Sequence, residues 1–415
     1  MSERPHGLVP MRGRDTREEH RVASTLELLY DLTIVVSFSL AGAAFAHATV
    51  SGHFLNGLVA FLIAMFAIVW AWLTFTWFSS AYDTDDWGMR LSVLIQMIGV
   101  IVLALGLGDL FHGMNEWEFH NTIVVAGYVI MRISMVGLWL RAANADPTRR
   151  TDCRRYAAYT LVVQILWIIT AMLHMKMSVA APVIAVMFAM EMLGPRLIEG
   201  RQTLTPWHPH HIAERYSLLI IITLGEVILG TTMAVQSAVD TAGWSWDAGL
   251  IALAGVGIAF GLWWTYFAIP FGEVLQHEPS RGWIFGHGHM PLYAATAATG
   301  AGLHVAAYFV QGESDLSEGL TILAIGLPLA AWVLLFFFLA SRILATSERF
   351  HLVLCMATLV TVGVTVALGF TNAPLGLSLI VLALAPWISV IGYETLGHRH
   401  LDEAMQRVTS QPVRR

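Results

Sequence analysis

Residues 121–156 read NTIVVAGYVIMRISMVGLWLRAANADPTRRTDCRRY. An apolar run of about twenty residues, enough to cross a bilayer as a helix, gives way to a connection holding Arg149, Arg150, Arg154 and Arg155. Short connections rich in Lys and Arg stay on the cytoplasmic side. One charge, Arg132, stands inside the apolar run, where it has no solvent reason to be. The stretch therefore predicts a membrane span, its orientation and a buried cation that must find a partner.

The same reading extends along the chain. Of its 415 residues 56% are hydrophobic and only 13% charged, far below the charge of a soluble domain. Such an apolar excess needs lipid as its solvent, so membrane lipids are the expected partners. The net charge of −6 gives no sign of a nucleic-acid partner. Twelve spans are predicted, near 26–46, 54–78, 91–110, 121–141, 156–174, 178–195, 212–236, 248–269, 290–310, 319–340, 351–371 and 374–395. Of the 23 Lys and Arg, all but Lys176 and Arg132 lie on alternate connections or on the span ends that adjoin them. Connections 47–53, 111–120, 237–247 and 311–318 hold none. An odd number of spans would break this alternation, so both termini are expected in the cytoplasm. Arg4, Arg12, Arg14, Arg17 and Arg21 mark residues 1–24 as a cytoplasmic tail, and the first span is too long for the core of a cleaved signal. Cys153 and Cys355 fall in a basic connection and a span, so no disulfide framework is implied.

Charged and proline positions recur in order. The sixth span ends Glu191-Met-Leu193-Gly194-Pro-Arg196, and the twelfth ends Glu394-Thr-Leu396-Gly397-His-Arg399. Both open on Ala-Pro, at Ala181-Pro182 and Ala373-Pro374. The fold class expected is an all-α integral membrane protein with about twelve transmembrane helices in two same-orientation six-helix repeats. Residues 25–195 and 212–397 would be the repeats, 196–211 a cytoplasmic linker and 398–415 a cytoplasmic tail.

The chemistry-bearing candidates are ionisable groups in or near hydrocarbon. Glu27 and Asp31 lie one turn apart on one helix face. Helix-terminus placement accounts for Glu27, while Asp31 lies about 6 Å deeper and suggests pairing or function. Glu226 lies three turns inside the seventh span, near the bilayer midplane, at a depth similar to Arg132. The simplest solution for those two is each other, or a network reaching Asp31 or Glu191. Glu214 and Arg215, at the seventh-span entry, suggest a cytoplasmic gate pair. Trp264, Tyr266, His304 and Gln96 are candidate pocket residues, although interface anchoring explains most of the aromatic run and His304 fits an interhelical hydrogen bond. The acidic loop of Asp83, Asp85 and Asp86 reads as helix capping and pairing with Arg90 rather than a cation site. Neither His208, His210 and His211 nor His287 and His289 have the spacing of a zinc motif. No metal, no cofactor and no catalytic nucleophile are expected.

At Glu27-Leu-Leu-Tyr30-Asp31-Leu32 the chain resembles the bacterial low temperature requirement protein A family. Tyr82-Asp83-Thr84-Asp85-Asp86 followed by Gln96-Met97, His211-Ile-Ala-Glu214-Arg215 running to Leu224-Gly225-Glu226, and Trp263-Trp264-Thr-Tyr266-Phe267 carry the same resemblance. The family usually has Phe where Leu29 stands and an aliphatic residue where Thr33 stands. The resemblance implies a polytopic protein of the bacterial inner membrane and leaves the mechanism open. Taken with the buried charges, it leads to an expected proton- or ion-linked transporter or channel. The alternatives are an intramembrane lipid-modifying enzyme and a non-transporting membrane stress factor.

Overall fold

The computed structural model describes residues 7–15, 18, 21–199, 205–346, 349–371 and 373–410. Arg4, Arg17, Arg414 and Arg415 of the basic pattern, and residues 200–204 of the expected linker, lie outside the described residues. The helices are α1 (Thr25–Val50), α2 (Phe54–Tyr82), α3 (Trp87–Leu105), α4 (Leu107–Asn115), α5 (Thr122–Ala145), α6 (Arg150–Leu173), α7 (Met177–Ile198) and α8 (Pro209–Ala242). They continue with α9 (Trp246–Phe267), α10 (Phe271–His277), α11 (Gly282–Gln311), α12 (Glu318–Leu344), α13 (Arg349–Leu368), α14 (Leu375–Gly392) and α15 (His398–Thr409). A π-helical turn, Tyr393–Gly397, joins α14 to α15. Among the described residues there is no strand, only an isolated bridge between Glu118 and Lys176.

Among the described residues, eleven helical segments are long and apolar enough to cross a membrane. The expected ninth span, 290–310, lies within α11, which is not among the eleven. From Leu292 to Ala307 every residue of α11 but Ala294 is buried. A helix surrounded by protein does not face lipid, so Ala, Gly and Thr suffice where a lipid-facing helix needs Leu and Ile. Many large apolar side chains are exposed on the other spans, among them Leu105, Ile133, Met172 and Phe338. The charged groups within the spans, Asp31, Arg132, Glu191, Arg215 and Glu226, are buried instead, because hydrocarbon cannot satisfy them.

The chain forms two compact units, Met1–Ala41 with Phe66–Arg215 and Gly42–Met65 with Tyr216–Arg415. In the first unit α3 and α5 meet backbone to backbone. A Cβ on Gly127 would lie 2.4 Å from the Leu103 nitrogen and 2.5 Å from the Gly99 oxygen, so no larger residue fits without parting the helices. In the second unit α8 and α11 cross as closely. A Cβ on Gly300 would lie 2.7 Å from the Glu226 carbonyl carbon, and one on Gly230 would lie 2.6 Å from the Gly300 oxygen.

Candidate functional site

The first unit gathers its charges into two clusters, one on either side of α2. The first is built from two helices that each present an i, i+4 pair: Glu27 and Asp31 on α1, His211 and Arg215 on α8. Ser24 and Glu27 start α1 with a reciprocal capping box. The Ser24 N–H donates to Glu27 Oε2 at 2.8 Å, and the Glu27 N–H donates to Ser24 Oγ at 3.3 Å. Glu27 also accepts from Ser79 Oγ at 2.7 Å and has His211 Nε2 3.2 Å from Oε2. Arg215 lies between the acids, with Nη1 2.7 Å from Glu27 Oε1 and Nη2 2.6 Å from Asp31 Oδ1. Trp72 Nε1 donates to the same Asp31 oxygen at 2.7 Å, and its ring lies 5.9 Å from the guanidinium carbon. Arg215 and Asp31 are both 0% exposed. Glu27 is thus fully engaged, whereas Asp31 Oδ2 and the neighbouring Tyr30 hydroxyl have no partner among the described residues.

Across α2 stands the second cluster. Trp70 and Trp72 are two positions apart, so the helical repeat points them about 200° from one another. Trp70 Nε1 donates to Glu191 Oε2 at 2.6 Å, and Arg132 Nη2 donates to the same oxygen at 3.3 Å. Arg132 Nη1 reaches Thr74 Oγ1 at 3.1 Å, and its guanidinium lies 5.0 Å from the centre of the Tyr128 ring. Of the partners the sequence offered Arg132, the structure supplies Glu191.

The gate pair is arranged differently from expectation. Arg215 turns to Glu27 and Asp31, while Glu214 accepts the Ala23 N–H at 3.1 Å. Adjacent helical positions diverge by about 100°, so the two take separate partners. His208 of the histidine cluster packs beside Glu18, with Nε2 2.7 Å from its carbonyl oxygen, and accepts the His211 N–H at Nδ1.

Each acid of the 83–86 loop is partnered by protein. Asp83 pairs with Arg14 at 3.6 Å, and Asp85 pairs with Arg90 at 3.0 Å on the surface. Burial and the Glu27 charge push the Asp83 carboxyl above its ordinary value. Asp86 caps α3 by accepting the Met89 N–H at 2.9 Å, takes the Val9 N–H at 2.9 Å and binds Arg141. Burial alone would raise Asp86, but Arg141 and the two N–H groups outweigh it and bring the carboxyl from 3.8 to about 2. A depressed carboxyl stabilises the fold above its unfolded value and loses that contribution as pH falls toward the folded value. Asp86→Asn keeps the cap and loses the charge. It should lower stability near neutral pH by about 2 kcal/mol. In thermal unfolding of the purified protein, the gap to wild type should close as pH is lowered through the window between 3.8 and about 2.

Unit two carries all the remaining candidates but Gln96. Glu226 is 4% exposed and sits where α8 meets Gly300. His304, one turn along α11, packs beside Gly230, but its Nε2 has no partner among the described residues, so the expected interhelical hydrogen bond is missing there. The Tyr266 hydroxyl pairs with His289 Nε2 at 2.9 Å, and His289 Nδ1 lies 2.7 Å from the Phe285 carbonyl oxygen, which leaves that imidazole satisfied and unsuited to a metal. Trp264 Nε1 donates to Glu394 at 3.1 Å near the surface. The candidate pocket residues of this unit thus have different neighbours: Glu394 for Trp264, His289 for Tyr266 and Gly230 for His304. Gln96 belongs to the other unit, buried on α3. Glu116, Glu118 and His120 bring ligand atoms within 4.8 Å of one another on a solvent-facing connection, a grouping common in exposed acids without an ion.

The model of the bacterial low temperature requirement A protein family matches residues 22–386. The chain belongs to this family. Every residue of both clusters falls inside the match, as do Glu226 and His304. A curated relative, an uncharacterized protein of Rhizobium meliloti (strain 1021), is 26% identical over 306 residues, 70% of each chain. No solved structure matches the chain. Low temperature requirement A membership and the helical spans make this a multi-pass membrane protein of a bacterial family.

Proposed function

We propose that the protein is a proton- or ion-linked transporter or channel of the bacterial cytoplasmic membrane, with both termini cytoplasmic and two six-helix repeats as its frame. The observation that carries this reading is the bare Asp31 Oδ2, buried beside a guanidinium that two carboxylates share. Two acids around one fixed cation leave one negative charge in excess. A proton or a monovalent cation at Asp31 balances it, and release of that ion restores the excess, which is the elementary step of a coupled carrier. Arg215 is the fixed cation, Arg132 with Glu191 forms the wall across α2, and Glu226 is the protonatable group of the second unit.

The test is flux. Purified protein in liposomes should dissipate an imposed proton or cation gradient faster than empty liposomes, and Asp31→Asn should abolish the difference. Asn keeps the shape and leaves one carboxylate for Arg215, so the variant should fold. Glu226→Gln should slow flux as well. A second reading, an inert clasp between α1 and α8, is favoured by the complete burial of Arg215. It is the better account if Asp31→Asn changes thermal stability and leaves flux untouched.

A further inference from the structure

Tyr30 stands next to Asp31 on α1 and is 0% exposed, yet its hydroxyl has no partner among the described residues. A buried hydroxyl left so costs free energy unless water or a passing proton engages it. Its ring packs edge-on against Phe75 of α2, with centroids 4.7 Å apart. The charges within electrostatic reach of its oxygen come from both clusters: Asp31 and Arg215 from the first, Arg132 from the second. The Tyr128 hydroxyl is within reach as well.

The helical repeat of α2 explains how one side chain meets both clusters. Trp70 faces the second cluster and Trp72 the first. Measured round the helix from Trp70, Ala67 lies at about 60°, Phe75 at about 140° and Trp72 at about 200°. Tyr128 donates to the Ala67 carbonyl at 3.2 Å and carries the Arg132 guanidinium over its ring. Tyr30 at Phe75 and Tyr128 at Ala67 therefore line one flank of α2, the flank that leads from Asp31 round to Arg132 and Glu191.

Resting on the reading of Asp31 as an ion-exchange site, we propose that the ion is a proton and that Tyr30 relays it along this flank from Asp31 to Glu191. Asp31 Oδ2 gives up its proton and becomes a carboxylate. The Tyr30 oxygen takes that proton through bridging water, while the phenol's own proton leaves toward Tyr128. The phenol ends neutral as it began. Glu191 receives the proton and becomes a carboxylic acid, and Arg132 keeps its charge throughout. A hydroxyl passes protons and not metal cations, which commits the exchanged ion.

Proton flux and infrared difference spectra of the full-length protein in liposomes test this together. Tyr30→Phe removes an oxygen that no described protein group holds and keeps the ring against Phe75, so its thermal unfolding should match wild type. Flux down an imposed pH gradient should fall by about a hundredfold, the worth of a positioned proton carrier. The Asp31 carboxyl band should still appear on a step to acid. Wild type should add a tyrosine ring band to that step, which Tyr30→Phe should lack. Glu191→Gln removes the acceptor and should slow flux while sparing the Asp31 band. Thr76 hides another unpartnered hydroxyl on the far side of Trp72 from Phe75, and Thr76→Val should change neither measurement. Undiminished flux in Tyr30→Phe or Glu191→Gln, with Asp31 still titrating, would overturn the relay and leave the Asp31 reading standing. So would transport of sodium or potassium without protons. Loss of the Asp31 band in Tyr30→Phe would make the hydroxyl part of the binding site and overturn the relay. A wild type whose Asp31 stays silent would remove the reading and the relay together.

Discussion

Arg215→Met lowers the stability of the purified protein by about 3–5 kcal/mol, because it leaves two carboxylates inside the protein without their counter-charge. Methionine fills most of the volume, so packing contributes little to the loss. The physical cause is the 0% exposure of Arg215 and Asp31 together with the 2.7 and 2.6 Å contacts that bind the guanidinium to both acids. Glu27→Gln and Asp31→Asn, added to Arg215→Met, should recover much of the loss, since no ion then remains to strand. Thermal or denaturant unfolding of the single and triple variants checks this. A triple variant as unstable as Arg215→Met would mean that the arginine acts by shape and not by charge.

Glu191→Leu should cost a comparable amount, about 3–5 kcal/mol, by stranding the Arg132 guanidinium. Arg132 is 6% exposed, and its other contacts are Thr74 and the Tyr128 ring, neither of which carries a negative charge. The same substitution removes the acceptor of the Trp70 N–H. Arg132→Met on top of Glu191→Leu should restore stability, with a coupling energy at the upper end of the range of about 0.5–3 kcal/mol found for contacting residues. Additive losses would contradict the pairing.

What the sequence disclosed follows the physics of each residue's neighbourhood. Arg132 was legible because a charge inside an apolar run has no local escape. Arg215 was legible as a span-entry charge but its partners were not, because the nearest acid in sequence is Glu214. Its burial comes from α1 and α2, far away in sequence, whose Asp31, Trp72 and Ser79 close the cluster around it and Glu27. One signal was available: His211 and Arg215 repeat the four-residue spacing of Glu27 and Asp31, so two helices offer matched faces of opposite charge. The start of α11 was hidden for another reason. Residues 282–289 are rich in Gly and His and do not read as a span, yet they enter a set of aromatic rings in which Phe285 lies 4.3 Å from His289. The unit boundaries depend on which distant helices pack together, and hydropathy carries no record of that.

Infrared difference spectroscopy of the reconstituted protein tests the central claim, that Asp31 exchanges an ion. On a step from alkaline to acid buffer, or on removal of sodium or potassium, wild type should show a change in carboxyl absorption that is missing from Asp31→Asn and kept in Glu191→Gln. A spectrum in which the Asp31 carboxyl responds neither to protons nor to monovalent cations would contradict the account and leave Glu27, Asp31 and Arg215 as a fixed clasp.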